Sequence, residues 1–205
     1  MDFLSAQRMV ESYKIPICPT FKAVKEKDVM GIEKKIPYPW AMKAIGKQLI
    51  HKSDAGGVKL NLRNTHEAMM AVHKLKKIKG YDYVVVQPMR KGIELIVGGK
   101  MDSQFGPTVL VGMGGIYTEV FKDSSIRIAP LNENDAREMI RELKIAPILS
   151  GVRGQKGINE KKLVQLLLGV SKLMSGKKAK ELDLNPVIAT PETVEAVDVR
   201  IINQE

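Results

Sequence analysis

Three groups of residues combine types and spacings that could do chemistry. The first is IHKSDAGGVKL, residues 50–60, which sets His51, Lys52 and Ser53 just ahead of a Gly56–Gly57 pair. Glycines accept positive φ and let the backbone come close to a ligand, so their amides can point at phosphate oxygens. Lys43, Lys52 and Lys59 supply positive charge that suits a polyphosphate. Taken alone, the glycine pair is more simply explained as a hairpin turn.

The second group is ELDLNPVI followed by EAVDVR. On a strand, Asp183 and Asn185 have the i, i+2 spacing that turns both side chains to one face, and Asp198 lies on the following strand. Hard oxygen donors from only two or three side chains, with room left for water and phosphate oxygens, suit Mg²⁺ in a nucleotide site. Polar residues on the wet face of a one-sided sheet alternate in the same way. The third group, GMGGIYTEV at residues 112–120, lacks the G-x-G-x-x-G fingerprint and the helix that must follow it. No G-x-x-x-x-G-K-[ST] loop occurs either, so these glycines read as a tight, closely packed turn.

Composition narrows the classes. The 205 residues, 44% of them hydrophobic, suffice for one large domain or two small lobes with a buried core. No apolar run reaches the roughly 18 residues a membrane span requires, and MDFLSAQRMVESYK lacks the apolar centre of a signal peptide, so a cytoplasmic protein is expected. Cys18 is the only cysteine, which rules out an intrachain disulfide and reads as a small buried hydrophobe. His66 and His73 fall on a helix surface and are not catalytic candidates. The net charge of +10 favours a polyanionic partner, yet the densest basic run, HKLKKIKG, sits at a helix end where cations complement the dipole. Aromatic residues make up only 5% of the chain and do not alternate with basic ones, which argues against nucleic acid.

The elements that must position these groups follow from periodicity. DFLSAQRMVESYK reads as a helix stopped by IPICP, Phe21–Val24 as a short strand, and YPWAMKAIG as a buried strand carrying Lys43. NTHEAMMAVHKLKKIKG is a helix capped by Asn64 or Thr65. From residue 83 the strands YVVVQPM, GIELIVGGKMD, GPTVLVGMG and GIYTEVFKD suggest a β-meander. Two helices, NDAREMIRELK and INEKKLVQLLLGVSKLMSG, precede the closing strands ELDLNPVIA and VEAVDVRII. This order predicts an α+β chain with a small N-terminal lobe and a larger sheet-plus-helix lobe.

Taken together, YPWAMKAIGKQLIHKSDAGGVKLNL, VVVQPM, GIELIVGGKMDSQFGPTVLVGMGGIYTEVFKDSSIRIAPL, ILSGVRG and ELDLNPVI with EAVDVR resemble the ATP-grasp β subunit of ADP-forming acyl-CoA synthetases. The resemblance is above all to ADP-forming acetyl-CoA synthetase and extends more distantly to the β subunit of succinyl-CoA synthetase. The resemblance covers nearly the whole chain. It implies an ATP-grasp fold of two lobes with the nucleotide bound between them: residues 1–84 with the phosphate loop, and 85–205 with the metal-binding strands.

The implied reaction is acyl-CoA + ADP + phosphate giving acid + CoA + ATP, with Mg²⁺, through a phosphohistidine. A CoA-binding α subunit is the implied partner, in a hetero-oligomer. Lys43 matches the lysine that neutralises nucleotide phosphates, His51 the second histidine that relays the phosphoryl group, and Lys52, Ser53, Gly56 and Gly57 the phosphate loop. Gln87, Pro88 and Met89 match the strand whose backbone faces adenine, with Glu94 the carboxylate after it. Asn185, Asp198 and Asp183 match the metal ligands, and Arg127 a basic residue near the transferred phosphate. A nucleotide-binding regulatory subunit of the same fold is the alternative.

Overall fold

A computed structural model describes residues 1–46, 49, 56–115 and 122–203. The chain divides into two compact units, one built from Cys18–Arg90 and the other from Phe3–Ile17 with Lys91–Glu205. Helix α1 (Phe3–Ser12) opens the chain and belongs to the larger unit.

The smaller unit contains β1 (Phe21–Ala23), α2 (Asp28–Glu33), β2 (Trp40–Ile45), β3 (Val58–Leu62), α3 (Thr65–Leu75) and β4 (Tyr83–Pro88). Its four strands form an antiparallel sheet in the order β1-β4-β2-β3. Alternation along β2 turns Trp40, Met42 and Ala44 into a core shared with Val84 and Val86 of β4 and with Ala68, Ala71, Val72 and Leu75 of α3. Asn64 is the cap of α3: its side chain accepts from the Glu67 N–H at 2.9 Å, while Glu67 reaches back to the Arg63 N–H at 2.8 Å. The lysine-rich KEKDVMGIEKK, to which periodicity assigns no element, contains α2, held by the burial of Val29 and Ile32.

The larger unit continues with β5 (Ile93–Asp102), β6 (Gly106–Met113), β7 (Ser124–Ile128), α4 (Glu133–Arg141), α5 (Ala146–Ser150), α6 (Glu160–Ser175), β8 (Ala179–Ala189), β9 (Val194–Ala196) and β10 (Arg200–Asn203). The strands run β10-β8-β5-β6-β7, with β9 also paired to β8. Register puts Leu182, Leu184, Leu95, Val97, Val109 and Val111 on one face, all buried. The apolar side of α6, with Leu163, Leu166, Leu167, Val170 and Leu173 buried, packs against β5, β6 and β8.

Two expectations shift. The boundary expected after residue 84 would cut β4, whose residues 83–88 are paired throughout with β2; the units divide at Arg90 and Lys91 instead. The N-terminal helix, expected in the first lobe, packs with the larger unit: α1 buries Phe3, Ala6 and Val10 and contacts α6 and β10, and Pro16 O accepts from the Ala196 N–H at 2.9 Å. YVVVQPM accordingly lies in the smaller sheet, and the meander is β5-β6-β7. Most of GIYTEVFKD lies outside the described residues, and β7 is SSIRI, just beyond it.

No helix among the described residues is long and apolar enough to cross a membrane. Leu166→Ala should destabilise the larger unit by about 2–5 kcal/mol, as expected for a cavity opened beneath a sheet, and urea denaturation checks this.

Candidate functional site

In the smaller unit, Lys43 sits in the middle of β2, paired with Val58 of β3 and Val85 of β4. The same alternation that buries Trp40, Met42 and Ala44 sends Lys43 to the opposite sheet face, where it is only 7% exposed. The Gly57 carbonyl accepts from the Ala44 N–H at 2.8 Å, so the descending end of the glycine loop is tied beside Lys43. Gly56 has φ of 66°, which a side chain would oppose, and a Cβ there would stand 4.0 Å from the Lys59 ammonium. Lys43 and the Gly56–Gly57 backbone therefore lie close along the sheet, whereas Lys59 pairs with Met42, on the face opposite Lys43, and only its ammonium comes near Gly56. His51, Lys52 and Ser53, expected on the same loop, lie outside the described residues.

Further along the smaller sheet, Gln87 is buried on the Lys43 face, and its side-chain amide donates to Thr20 Oγ1 at 2.9 Å. The Met89 N–H donates to Pro39 O at 2.8 Å, and Pro88 has no N–H. The Met89 N–H is thus used inside the unit, because β4 ends by pairing with the chain entering β2. Cys18, read as a small buried hydrophobe, is fully buried, with its thiol 3.8 Å from Pro88 O.

In the larger unit, β8 carries the acidic site. Asp183 pairs with Gly98 of β5 on one side and Arg200 of β10 on the other. A bulge follows: Leu184 and Val187 oppose Val97 and Leu95, so β8 has one residue more than β5, at Asn185–Pro186. Leu182 and Leu184 face the core, which leaves Asp183 and Asn185 on the other face. The strand expected over VEAVDVRII is interrupted into β9 and β10. Asp198 lies in the interruption, which is pinned to the bulge by the Val197 N–H donating to Pro186 O at 3.0 Å.

Burial pushes the Asp183 carboxyl above the usual carboxylate range, and the charges of Asp198 and Glu181 push the same way while Arg200 opposes. Two carboxylates and an exposed carboxamide oxygen form a hard donor set, and a divalent cation would relieve the repulsion between the acids. Among the described residues no three His, Cys, Asp or Glu side chains group as ion ligands. A site with only two acids suits an ion that keeps water and phosphate oxygens in its shell.

Two other expected residues fall elsewhere. Glu94 is the second residue of β5, and its carbonyl accepts from the Gly114 N–H at 2.8 Å; a Cβ on Gly115 would lie 2.7 Å from its carboxylate. Gly114 and Gly115 are thus packed against β5, while a Cβ on Gly112 would meet Asp123 O at 2.7 Å; residues 116–121, between β6 and β7, lie outside the described residues. Arg127 is not brought to Asp183. It pairs across β6 with Val109, on the face covered by helices, whereas Asp183 shares the opposite face with Leu110 and Ile126. Its guanidinium instead pairs with Glu142 at the end of α4, and Ser125 Oγ donates to the same carboxylate at 2.7 Å. The hydrogen bonds from Arg127 and Ser125 hold the Glu142 carboxyl below its ordinary range. Glu142 and Ser125 escape a reading of the sequence, because a link between residues fifteen or more apart on different elements leaves no local signal.

The ATP-grasp domain family matches residues 1–202. The chain is 40% identical over 207 residues to the β subunit of ADP-forming acetate–CoA ligase I of Pyrococcus furiosus, covering 96% of this chain and 89% of that one. It is 39% identical to the ADP-forming 4-hydroxybutyrate–CoA ligase of Nitrosopumilus maritimus, but spans only 30% of that longer protein. The acetyl-CoA synthetase 1 of Ca. Korarchaeum cryptofilum, solved with coenzyme A, Mg-AMPPCP and a phosphohistidine segment pointing towards the nucleotide site, superposes with a TM-score of 0.86 at 35% identity. The match covers 98% of this chain and 92% of that one. The chain belongs to the ATP-grasp family, in the branch formed by ADP-forming acyl-CoA synthetases.

The raised carboxyl of Asp183 has a checkable sign. The folded state prefers its protonated form, so its stabilising contribution is present below the ordinary value of about 3.9 and is lost as pH rises through the folded value. In EDTA, Asp183→Asn should therefore melt above wild type at pH 7, with the difference closing below about pH 3.9. Melting curves across pH measure this.

Proposed function

We propose that this chain is the β subunit of an ADP-forming acyl-CoA synthetase. It binds Mg-ADP or Mg-ATP and moves a phosphoryl group between a phosphohistidine and the nucleotide, within acyl-CoA + ADP + phosphate = acid + CoA + ATP. The observation that carries the reading is the Asp183–Asp198 pair beside Asn185, an acid pair whose mutual repulsion a nucleotide-bound cation would relieve.

In the direction of ATP synthesis, a terminal oxygen of ADP attacks the phosphorus. The P–N bond to imidazole breaks, a P–O bond forms, and the imidazole nitrogen takes up a proton. Lys43 offsets negative charge on the transferring group with a fixed cation that need not reorganise. The amides of Gly56 and Gly57, with Lys52, Ser53 and Lys59, cradle the phosphates. Asp183, Asn185 and Asp198 would hold Mg²⁺, which would offset the negative charge of the nucleotide phosphates. His51 accepts the phosphoryl group on its loop, since neutral imidazole is a competent nucleophile near pH 7. Carbonyls at the end of β4 and the Glu94 carboxylate orient the base and ribose. Arg127, held by Glu142, supports the β7–α4 packing rather than the phosphate.

The acyl and CoA chemistry falls to a separate CoA-binding α subunit, with which this chain forms a hetero-oligomer.

Purified alone, the chain should bind Mg-ADP by calorimetry yet turn over acyl-CoA only when the α subunit is added; turnover without it would refute the split-enzyme reading. Lys43→Met should weaken Mg-ADP binding roughly 10–100-fold, the scale of one lost charge-assisted contact. His51→Ala should abolish labelled-phosphate exchange into ATP in the reconstituted enzyme while leaving nucleotide affinity within about threefold, a change below roughly 0.7 kcal/mol.

A further inference from the structure

Strand β10 sets a charge of the opposite sign beside the acids. Ile201 pairs with Leu182 and is buried with it on the helix-covered face, so alternation turns Arg200 to the other face, where its own partner is Asp183. Paired strands lie about 4.8 Å apart, so the guanidinium can reach the surroundings of the Asp183 carboxyl with its side chain alone. Asp198 precedes Arg200 by two residues, and its charge and that of Arg200 both act on Asp183, in opposite senses. Arg200 is nevertheless exposed, and its guanidinium forms no ion pair among the described residues. Its hydrogen-bond donors are open on the face that carries the acidic site.

Two other cations do not share this position. Arg127 is committed to Glu142 on the helix-covered face. Lys100 lies on the Asp183 face but stands across from Glu181, an acid outside the Asp183–Asn185–Asp198 set.

A divalent ion held by Asp183 and Asp198 changes what Arg200 faces. The carboxylates are then neutralised, so the guanidinium loses its counter-charge and gains a cationic neighbour that repels it. A phosphate removes that conflict, because its oxygens can lie between the ion and the guanidinium. The planar fork of an arginine binds such oxygens in pairs.

We propose that Arg200 contacts the terminal phosphate of a nucleotide whose cation is held by Asp183, Asn185 and Asp198, taking the place that motif order gives to Arg127. This deepens the proposed function and rests on its nucleotide site. Without nucleotide, Arg200 offsets part of the charge at Asp183; with Mg-ADP, it serves the phosphate.

Calorimetry of the whole chain with Mg-ADP and with AMP tests this. Arg200→Met should weaken ADP binding roughly tenfold or more, the scale of one lost charge-assisted contact, and leave AMP, which lacks the terminal phosphate, within about twofold. Arg200→Lys should recover part of the ADP affinity, since it restores the charge without the fork. Arg127→Met should keep the wild-type preference for ADP over AMP. An arginine that only supports the fold would weaken both nucleotides alike. Wild-type ADP affinity in Arg200→Met therefore overturns the proposal, as does an equal loss for AMP or a loss of preference seen only in Arg127→Met. Failure of the wild-type chain to bind Mg-ADP removes the nucleotide reading itself, an outcome distinct from binding that ignores Arg200.

Discussion

The packing of α6 against one face of the larger sheet is the constraint on which the acidic site depends. Leu182 and Leu184 of β8 must point into that core with Leu95, Val97, Val109 and Val111, and a strand offers no freedom beyond strict alternation. Asp183 and Asn185 are thereby committed to the other face. A register slip of one residue would bury an aspartate under α6 and expose leucines, so hydrophobic burial alone aims these oxygens. The bulge at Asn185–Pro186 then lets β8 pair with β10 on one side of the site and β9 on the other, which leaves Asp198 in the gap between them. Proline, with no N–H to contribute to a ladder, is well suited to that irregular position.

The same rule operates in the smaller unit with a cation in place of the acids. Trp40, Met42 and Ala44 satisfy the helix-covered core, and Lys43 is sent to the opposite face although it is buried there. A cation held with little exposure is screened less by water, a setting in which a phosphate placed beside it gains most from the interaction. Gly57, hydrogen-bonded to the next residue of β2, ties the glycine loop to that lysine rather than leaving the two to meet by chance. Each unit thus turns an apolar requirement on one sheet face into a placed charge on the other.

Arg127 illustrates the opposite outcome. Its position in SSIRIAPL resembles that of a basic residue near the transferred phosphate, but register with Val109 sends it to the helix side, where the Glu142 carboxylate and Ser125 complete a compact polar cluster. A guanidinium committed to a carboxylate fork contributes to how α4 sits on β7 and not to the face that carries Asp183. Nearby Asp123 is likewise committed to holding the fold, since its carboxylate accepts from the Lys144 and Ile145 N–H groups at 2.8 and 3.0 Å, ahead of the short helix α5.

The sequence by itself determined most of the elements from residue 40 onward, though not β3, β7, the short helix α5 or the break between β9 and β10, together with the cap at Asn64, the burial of Cys18, and the motif order that identifies an ATP-grasp chain. These are local signals: side-chain period, cap chemistry, proline and glycine. It also placed Asp183 and Asn185 on one face, because the spacing of two needs only a strand. Only the tertiary structure decided that α1 packs with the larger unit, that β4 closes the smaller sheet, that Asp198 lies in a break rather than on a strand, and that Arg127 turns away from Asp183. Each of these depends on which distant segment supplies the buried partner or the hydrogen-bond register, and pairing between residues far apart in the chain leaves no trace in the periodicity of either one.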